Sequence, residues 1–135
     1  MKAKFNRLNH GVFNLHDHLV FVTKYRRKAI TEPMLAGLKE IFTGAVKKFD
    51  GDLIEFNGEA DHVHLLLSLN PKLKLSSFVG NLKTVSSRLI RKEFKDELAV
   101  HYWKPVFWSR SYCILTCGGA PLSIIKLERE SWAKS

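Results

Sequence analysis

Three apolar runs in the first half of the chain predict β-strands. Residues 15–24 are rich in Leu, Val, Phe and Thr and are too short to bury as a helix, so they predict a first strand that ends in a basic loop. Residues 53–57 predict a second strand, and residues 61–69 predict a third that follows Gly58 closely enough to form a hairpin with it.

The C-terminal part of the chain predicts two shorter strands and a last helix. The strands span residues 106–108 and 112–117 and are separated by the polar break at residues 109–111. Gly118-Gly119 then turns the chain toward a helix that begins at about Pro121.

Two amphipathic segments predict the main helices. Thr31 is a capping residue with Pro33 in the first turn, and the apolar positions that follow recur at helical spacing up to Phe49: Met34, Leu35, Leu38, Ile41, Phe42, Ala45 and Val46. From Leu75 the same spacing returns at Phe78, Val79, Leu82, Val85, Leu89, Ile90 and Phe94. The rest of this second helix carries a basic set: Lys83, Arg88, Arg91, Lys92 and Lys95.

The predicted order is β, α, β, β, α, β, β, α. Strands and helices that alternate around a central hairpin favour an α+β fold, a ferredoxin-like (split β-α-β) antiparallel sheet with helices packed on one face, plus a C-terminal helix. A chain of 135 residues without a repeat or a linker predicts one domain over residues 1–135.

Composition indicates the class of partner for this fold. Hydrophobic residues make up 45% of the chain, which is enough for a core, while the formal charge of +9 and the pI of about 9.7 favour a polyanion. No apolar run approaches the length of a membrane span, and polar residues interrupt any signal-peptide core before Leu19. Cys113 and Cys117 lack the spacing of a structural zinc site. We therefore expect a cytoplasmic, nucleoid-associated protein with reduced thiols and no membrane partner.

The segment around His62 and His64 is the strongest chemical signal in the sequence. Side chains alternate along a strand, so both imidazoles project from one face and could share a metal ion, with Asp61 or Glu59 completing the site. Two structural histidines are the alternative, and spacing alone does not decide between the two interpretations.

The surrounding residues resemble a known family. Asp61-His62-Val63-His64 followed by three leucines is similar to the His-hydrophobic-His signature of the HUH-superfamily single-tyrosine transposases of small bacterial and archaeal insertion sequences. Residues 18–26 resemble the first strand of that family, residues 78–83 its central helix and residues 108–116 its late strand pair. The resemblance extends over residues 10–127.

The resemblance implies a homodimer that holds single-stranded DNA hairpins from the ends of the element, with Mg or Mn on His62 and His64. In this family the metal acts on the scissile phosphate as a Lewis acid while a tyrosine attacks phosphorus and forms a 5′-phosphotyrosine. The expected activity is DNA cleavage and strand transfer.

This sequence departs from the family on the last helix. Alignment through Gly118-Gly119 and Leu122 puts Glu128 at the position of the nucleophilic tyrosine and Trp132 at that of a glutamine near the metal. No tyrosine follows Tyr112, so the absence does not depend on the alignment. We therefore predict a transposase that binds metal and DNA but whose cleavage chemistry is impaired.

Basic residues predict the contacts with nucleic acid. Lys24, Arg26, Arg27 and Lys28, with Tyr25 among them, are typical of a loop that grips phosphates and stacks on a base, although a charged run can also be a solvated face. The other predicted contacts are Lys83, Arg88 and Arg110. A further aromatic and basic cluster fits either a packed loop or another contact: His101, Tyr102, Trp103, Lys104 and Arg110. A non-catalytic nucleic-acid-binding module, either RNA-binding or a domesticated regulator that binds hairpin DNA, is the competing function.

Overall fold

A computed structural model describes residues 16–117. The strands are β1 (His16–Thr23), β2 (Asp52–Glu59), β3 (His62–Ser68) and β4 (Trp108–Cys117). The helices are α1 (Glu32–Lys47), α2 (Leu75–Glu93) and the short α3 (Lys95–Ala99), and a single 3₁₀ turn, Lys24–Arg26, follows β1. The predicted C-terminal helix lies outside the described residues.

The four strands form one sheet in the order β2-β3-β1-β4, and every neighbouring pair is antiparallel. β3 therefore lies between β1 and β2, and β1 lies between β3 and β4, which is the arrangement of a split β-α-β fold. This confirms the predicted class, an α+β ferredoxin-like sheet.

The helices pack on one face of the sheet. Side chains that alternate along β1 and β3 join both long helices in a core whose fully buried members include Leu19, Phe21, Val63, Leu65, Leu67, Met34, Leu38, Phe42, Phe78, Leu82 and Ile90. α1 begins as predicted, because the Thr31 side chain accepts a hydrogen bond from the Met34 backbone N–H at 3.4 Å. The alternate residues of the strands point to the other face, called the second face below.

Two details of the sequence prediction were wrong. The predicted pair of short strands is one strand, β4, because Ser109-Arg110-Ser111 continues the extended backbone instead of turning. These three residues are polar because β4 is an edge strand of the described sheet. The pairing of β4 with β1 is irregular at one place, where its register shifts between Phe21 and Thr23. The second difference is α3, a five-residue helix that the periodicity did not predict.

Candidate functional site

β3 places His62 and His64 together on the second face. Val63 and Leu65 point into the core from the same strand, so the alternation predicted from the sequence is confirmed. In the register of the sheet, His62 pairs with Glu59 on β2 and with Val22 on β1, and His64 pairs with Asn57 and Val20. His62 is buried, with 8% of its surface exposed, and His64 is half-buried.

A third imidazole, that of His18 on β1, contacts His64. Its Nδ1 lies 3.4 Å from Nε2 of His64, and the two rings stack with centroids 5.6 Å apart and planes 27° apart. Burial, together with His16, lowers the pKa of His18 despite the opposing influence of Asp17 and Glu55. The sequence assigns His18 to the first strand and to a second His-x-His pattern with His16, and it gives no reason to pair His18 with His64. The pairing is invisible in sequence because 46 residues separate the two rings.

Asp61 connects His62 to the basic loop. Oδ1 of Asp61 lies 2.9 Å from Nδ1 of His62, and Oδ2 accepts a hydrogen bond from Nη2 of Arg26 at 3.2 Å. Burial raises the pKa of Asp61, but the hydrogen bonds and charges of His62 and Arg26 outweigh it and hold the pKa below its ordinary value. An ionised carboxylate at Nδ1 favours the tautomer with hydrogen on Nδ1, whose lone pair is on Nε2.

The described residues place two imidazoles on one face of the sheet but form no complete metal site. Neutral imidazole nitrogen is a common ligand of divalent transition metals. Over residues 16–117, no group of three or more His, Cys, Asp or Glu side chains is arranged to hold a metal ion. Both carboxylate oxygens of Asp61 already have protein partners, so its predicted role as a ligand is not visible in this geometry and stays a prediction.

The basic loop is held in an unusual backbone conformation. Tyr25 and Arg26 have φ values of 58° and 54°, in the left-handed region that residues other than glycine rarely adopt. Thr23 anchors the loop, since its hydroxyl lies 2.6 Å from the Arg27 carbonyl and its N–H donates to the Asp61 carbonyl. Tyr25 is 62% exposed, and the charged groups of Lys24 and Arg27 lie 5.4 and 5.8 Å from its ring centroid. The predicted loop therefore presents an aromatic ring flanked by cations, and Lys28 is exposed just after it.

The other predicted DNA contacts lie in different surroundings. The Lys83 ammonium donates to the carbonyls of Ser109 and Arg110 at 2.6 and 2.9 Å, which ties α2 to β4. Burial, and to a smaller extent Lys24, lowers the pKa of Lys83. Arg110 is exposed on β4, whereas Arg88 lines a separate groove at the far end of α2. The structure thus brings the basic loop to the histidine site through Arg26 but does not bring Arg88 there.

Two predicted features of the chain cannot be placed on this framework. Glu128, at the expected position of the nucleophile, and Trp132 lie outside the described residues.

Among the helices of residues 16–117, none has the length and hydropathy of a membrane-spanning segment.

Comparison with known proteins identifies the family of this chain. The profile described as "Transposase IS200 like" matches residues 11–127. The transposase for insertion sequence element IS200 of Salmonella typhimurium is 35% identical over 111 residues, which cover 82% of this chain and 72% of that protein. The ISDra2 transposase TnpA of Deinococcus radiodurans is 34% identical over 105 residues, or 78% of this chain and 74% of that protein.

Solved structures agree with the sequence matches. The crystal structure of a transposase candidate from Deinococcus radiodurans R1 superposes with a TM-score of 0.75 at 30% identity, covering 86% of this chain and 88% of the other. A REP-associated tyrosine transposase bound to a REP hairpin superposes with a TM-score of 0.52 at 11% identity, over 83% of this chain and 60% of the other, and shows the common fold. The chain belongs to the IS200-like transposase family.

Proposed function

We propose that this protein binds single-stranded hairpin DNA at the ends of an insertion sequence, together with a divalent metal ion, and that its own cleavage chemistry is impaired. The observation that carries the proposal is the pair of imidazoles on β3, His62 and His64, joined through Asp61 and Arg26 to an exposed basic loop. This arrangement puts candidate metal ligands beside candidate phosphate contacts.

His62 and His64 are the residues that would hold Mg or Mn. Asp61 orients His62 by accepting from Nδ1, and His18 packs against His64. When bound, the metal would supply Lewis-acid polarisation of a phosphate oxygen. Because Mg and Mn prefer oxygen ligands, the rest of the coordination would come from water, phosphate oxygens and residues beyond 16–117.

The proposed loss of cleavage follows from the missing nucleophile. Phosphotyrosine chemistry needs a tyrosine hydroxyl within reach of the phosphate, and Glu128 cannot provide one. Among the three tyrosines, Tyr102 is buried and donates to the Lys24 carbonyl at 2.7 Å, and Tyr112 packs edge-on against Phe21. Tyr25 is the exposed one, and its loop supports a stacking role.

A non-cutting regulator is the second candidate function. The absence of tyrosine after Tyr112 favours it, since a protein that only binds hairpin DNA has no need of a nucleophile. An RNA-binding module is the third possibility, and it is distinguished by its preference for RNA and its indifference to metal.

Two measurements on the whole protein test the proposal. Mn titration followed by electron paramagnetic resonance should show a bound ion that is lost in His62→Ala. Labelled single-stranded hairpins from the DNA flanking the gene should give a salt-sensitive shift on a native gel and no covalent band on a denaturing gel. Absence of Mn binding, or a salt-independent shift, contradicts the proposal. A covalent band would show that another tyrosine cleaves, and Tyr25→Phe would then identify or exclude the exposed one.

Restoring the family's residues tests the explanation for the lost activity. Glu128→Tyr combined with Trp132→Gln should give a covalent protein–DNA band with Mn, and adding His64→Ala should abolish it. If the double variant binds hairpin DNA but forms no adduct, the assignment of position 128 is wrong. A dimeric mass by light scattering is also expected, and a monomer at micromolar concentration contradicts the proposed homodimer.

A further inference from the structure

A basic groove lies at the end of α2, away from the two histidines. Its walls are the C-terminal part of α2, α3 and the loop that leads to β4, and its cavity volume is about 490 Å³. Five cationic side chains line it: Arg88, Arg91, Lys92, Lys95 and Lys104. Because α2 packs on the helix-covered face of the sheet and His62 and His64 are on the second face, the groove and the histidine pair are on different sides of the molecule.

Trp103 stands at this groove with 88% of its surface exposed. Its position is fixed by its neighbours, since the N–H groups of His101 and Tyr102 donate to the Leu98 carbonyl and the Tyr102 hydroxyl donates to the Lys24 carbonyl. The Lys104 ammonium lies 5.1 Å from the Trp103 ring centroid. An indole displayed beside a cation by an anchored loop is a surface on which a base can stack.

No cation of the groove forms an ion pair within the described part of the chain, although α3 also carries Asp96 and Glu97. The ion pairs there are Arg26–Asp61, Lys47–Asp52 and His62–Asp61, and none includes a cation of the groove. Arg91 and Lys92 are in the last turn of α2, where cations interact favourably with the helix dipole. The helix dipole does not account for Lys104, because this residue comes from the loop that forms the opposite wall of the groove. Cations that converge on one groove from two elements suit a polyanion.

We infer that this groove is a second binding site for single-stranded DNA, in which Trp103 stacks on an unpaired base and the surrounding cations contact its flanking phosphates. The inference rests on the proposed function, because it takes DNA as the partner. It adds that the strand contacts the helix-covered side of the protein as well as the side that carries His62 and His64.

The stacking contact is tested with Trp103→Ala and Trp103→Phe in the full-length protein. The probes are a short oligo(dT) strand and the same strand without bases, measured by fluorescence anisotropy. Loss of one stacked base should weaken oligo(dT) binding by about 5- to 150-fold in Trp103→Ala, with a smaller loss in Trp103→Phe. The baseless strand should bind the wild type and Trp103→Ala equally. Because Trp103 is exposed, neither substitution removes a buried side chain from the core.

The phosphate contacts are tested by removing two charges. Lys92→Gln with Lys104→Gln should reduce the slope of log K against log salt by about 1.4, which corresponds to two lost contacts at about 0.7 each. Lys39→Gln with Lys48→Gln removes the same charge from exposed positions of α1 and its C-terminal end and serves as the control, with an unchanged slope.

Three results would overturn the inference while leaving the proposed function intact. They are wild-type oligo(dT) affinity in Trp103→Ala, an equal change of slope in both lysine pairs, and tighter binding of oligo(U) than of oligo(dT). Mn binding at His62 and His64 should be unchanged in every groove variant. Wild-type protein that binds neither hairpin DNA nor oligo(dT) would instead contradict the proposed function itself.

Discussion

The contact between Asp61 and His62 allows a prediction with a defined magnitude. Asp61→Asn keeps the size of the side chain and one oxygen that can accept from Nδ1, but it removes the charge. Asp61→Ala removes both. Outer-shell partners of a metal-binding histidine are worth about 10- to 100-fold in metal affinity. We therefore expect Mn affinity to fall about tenfold in Asp61→Asn and toward 100-fold in Asp61→Ala, or about 1.4 to 2.8 kcal/mol.

The ion pair with Arg26 must be separated from this effect. Its Nη2–Oδ2 distance is 3.2 Å, but the Arg26 side chain is 48% exposed, and an exposed pair contributes at most about 1 kcal/mol. Arg26→Gln should therefore change Mn affinity by no more than about fivefold. Asp52→Asn is the matched control, because it breaks the ion pair with Lys47 at the start of β2 and should leave Mn affinity unchanged.

The assay is titration of Mn into each variant, with the free ion quantified by electron paramagnetic resonance. Wild-type affinity in both Asp61→Asn and Asp61→Ala would refute the orienting role. A loss in Asp61→Asn as complete as that in His62→Ala would also refute it, and would show that Asp61 is itself a ligand, as the sequence alone predicts.

Two further predictions concern the framework and its dependence on pH. Ser86→Ala removes the acceptor of the buried Trp108 indole N–H, a 2.9 Å bond, and should cost about 1 to 3 kcal/mol, or about 3 to 5 °C in Tm for each kcal/mol. Ser77→Ala, exposed on the same helix, should change the stability by less than about 0.5 kcal/mol, and an equal loss in both variants would contradict the assignment. Burial raises the pKa of Tyr102 above its ordinary value of 10.0, although a hydrogen bond with Thr23 and the charge of Arg27 act in the opposite direction. The folded protein therefore keeps the Tyr102 proton up to a higher pH than the unfolded chain does. The stability that this shift contributes is fully present below pH 10.0 and is lost as the pH rises through the pKa of Tyr102 in the folded protein. The free energy of unfolding, measured by denaturation at alkaline pH, should therefore fall more steeply with pH in the wild type than in Tyr102→Phe. Parallel pH dependences in the two proteins would contradict this prediction.

Local patterns predicted most of the fold because they report burial directly. The spacing from Met34 to Phe49 predicted α1, and alternation around His62 and His64 predicted which side chains of β3 share a face. The interpretation of residues 109–111 was wrong because a polar triplet is compatible with both a turn and an exposed strand. Only pairing with β1 distinguishes the two.

The sequence by itself determined the fold class, the shared face of His62 and His64 and the absence of a tyrosine after Tyr112, since these depend on residue type and local spacing. Tertiary structure alone decided which distant groups meet. It brought His18 to His64 and Arg26 to Asp61, and it placed Trp103 beside the cations at the end of α2. The physical reason is that strand order and loop anchoring set these distances, and neither leaves a periodic signal in the chain.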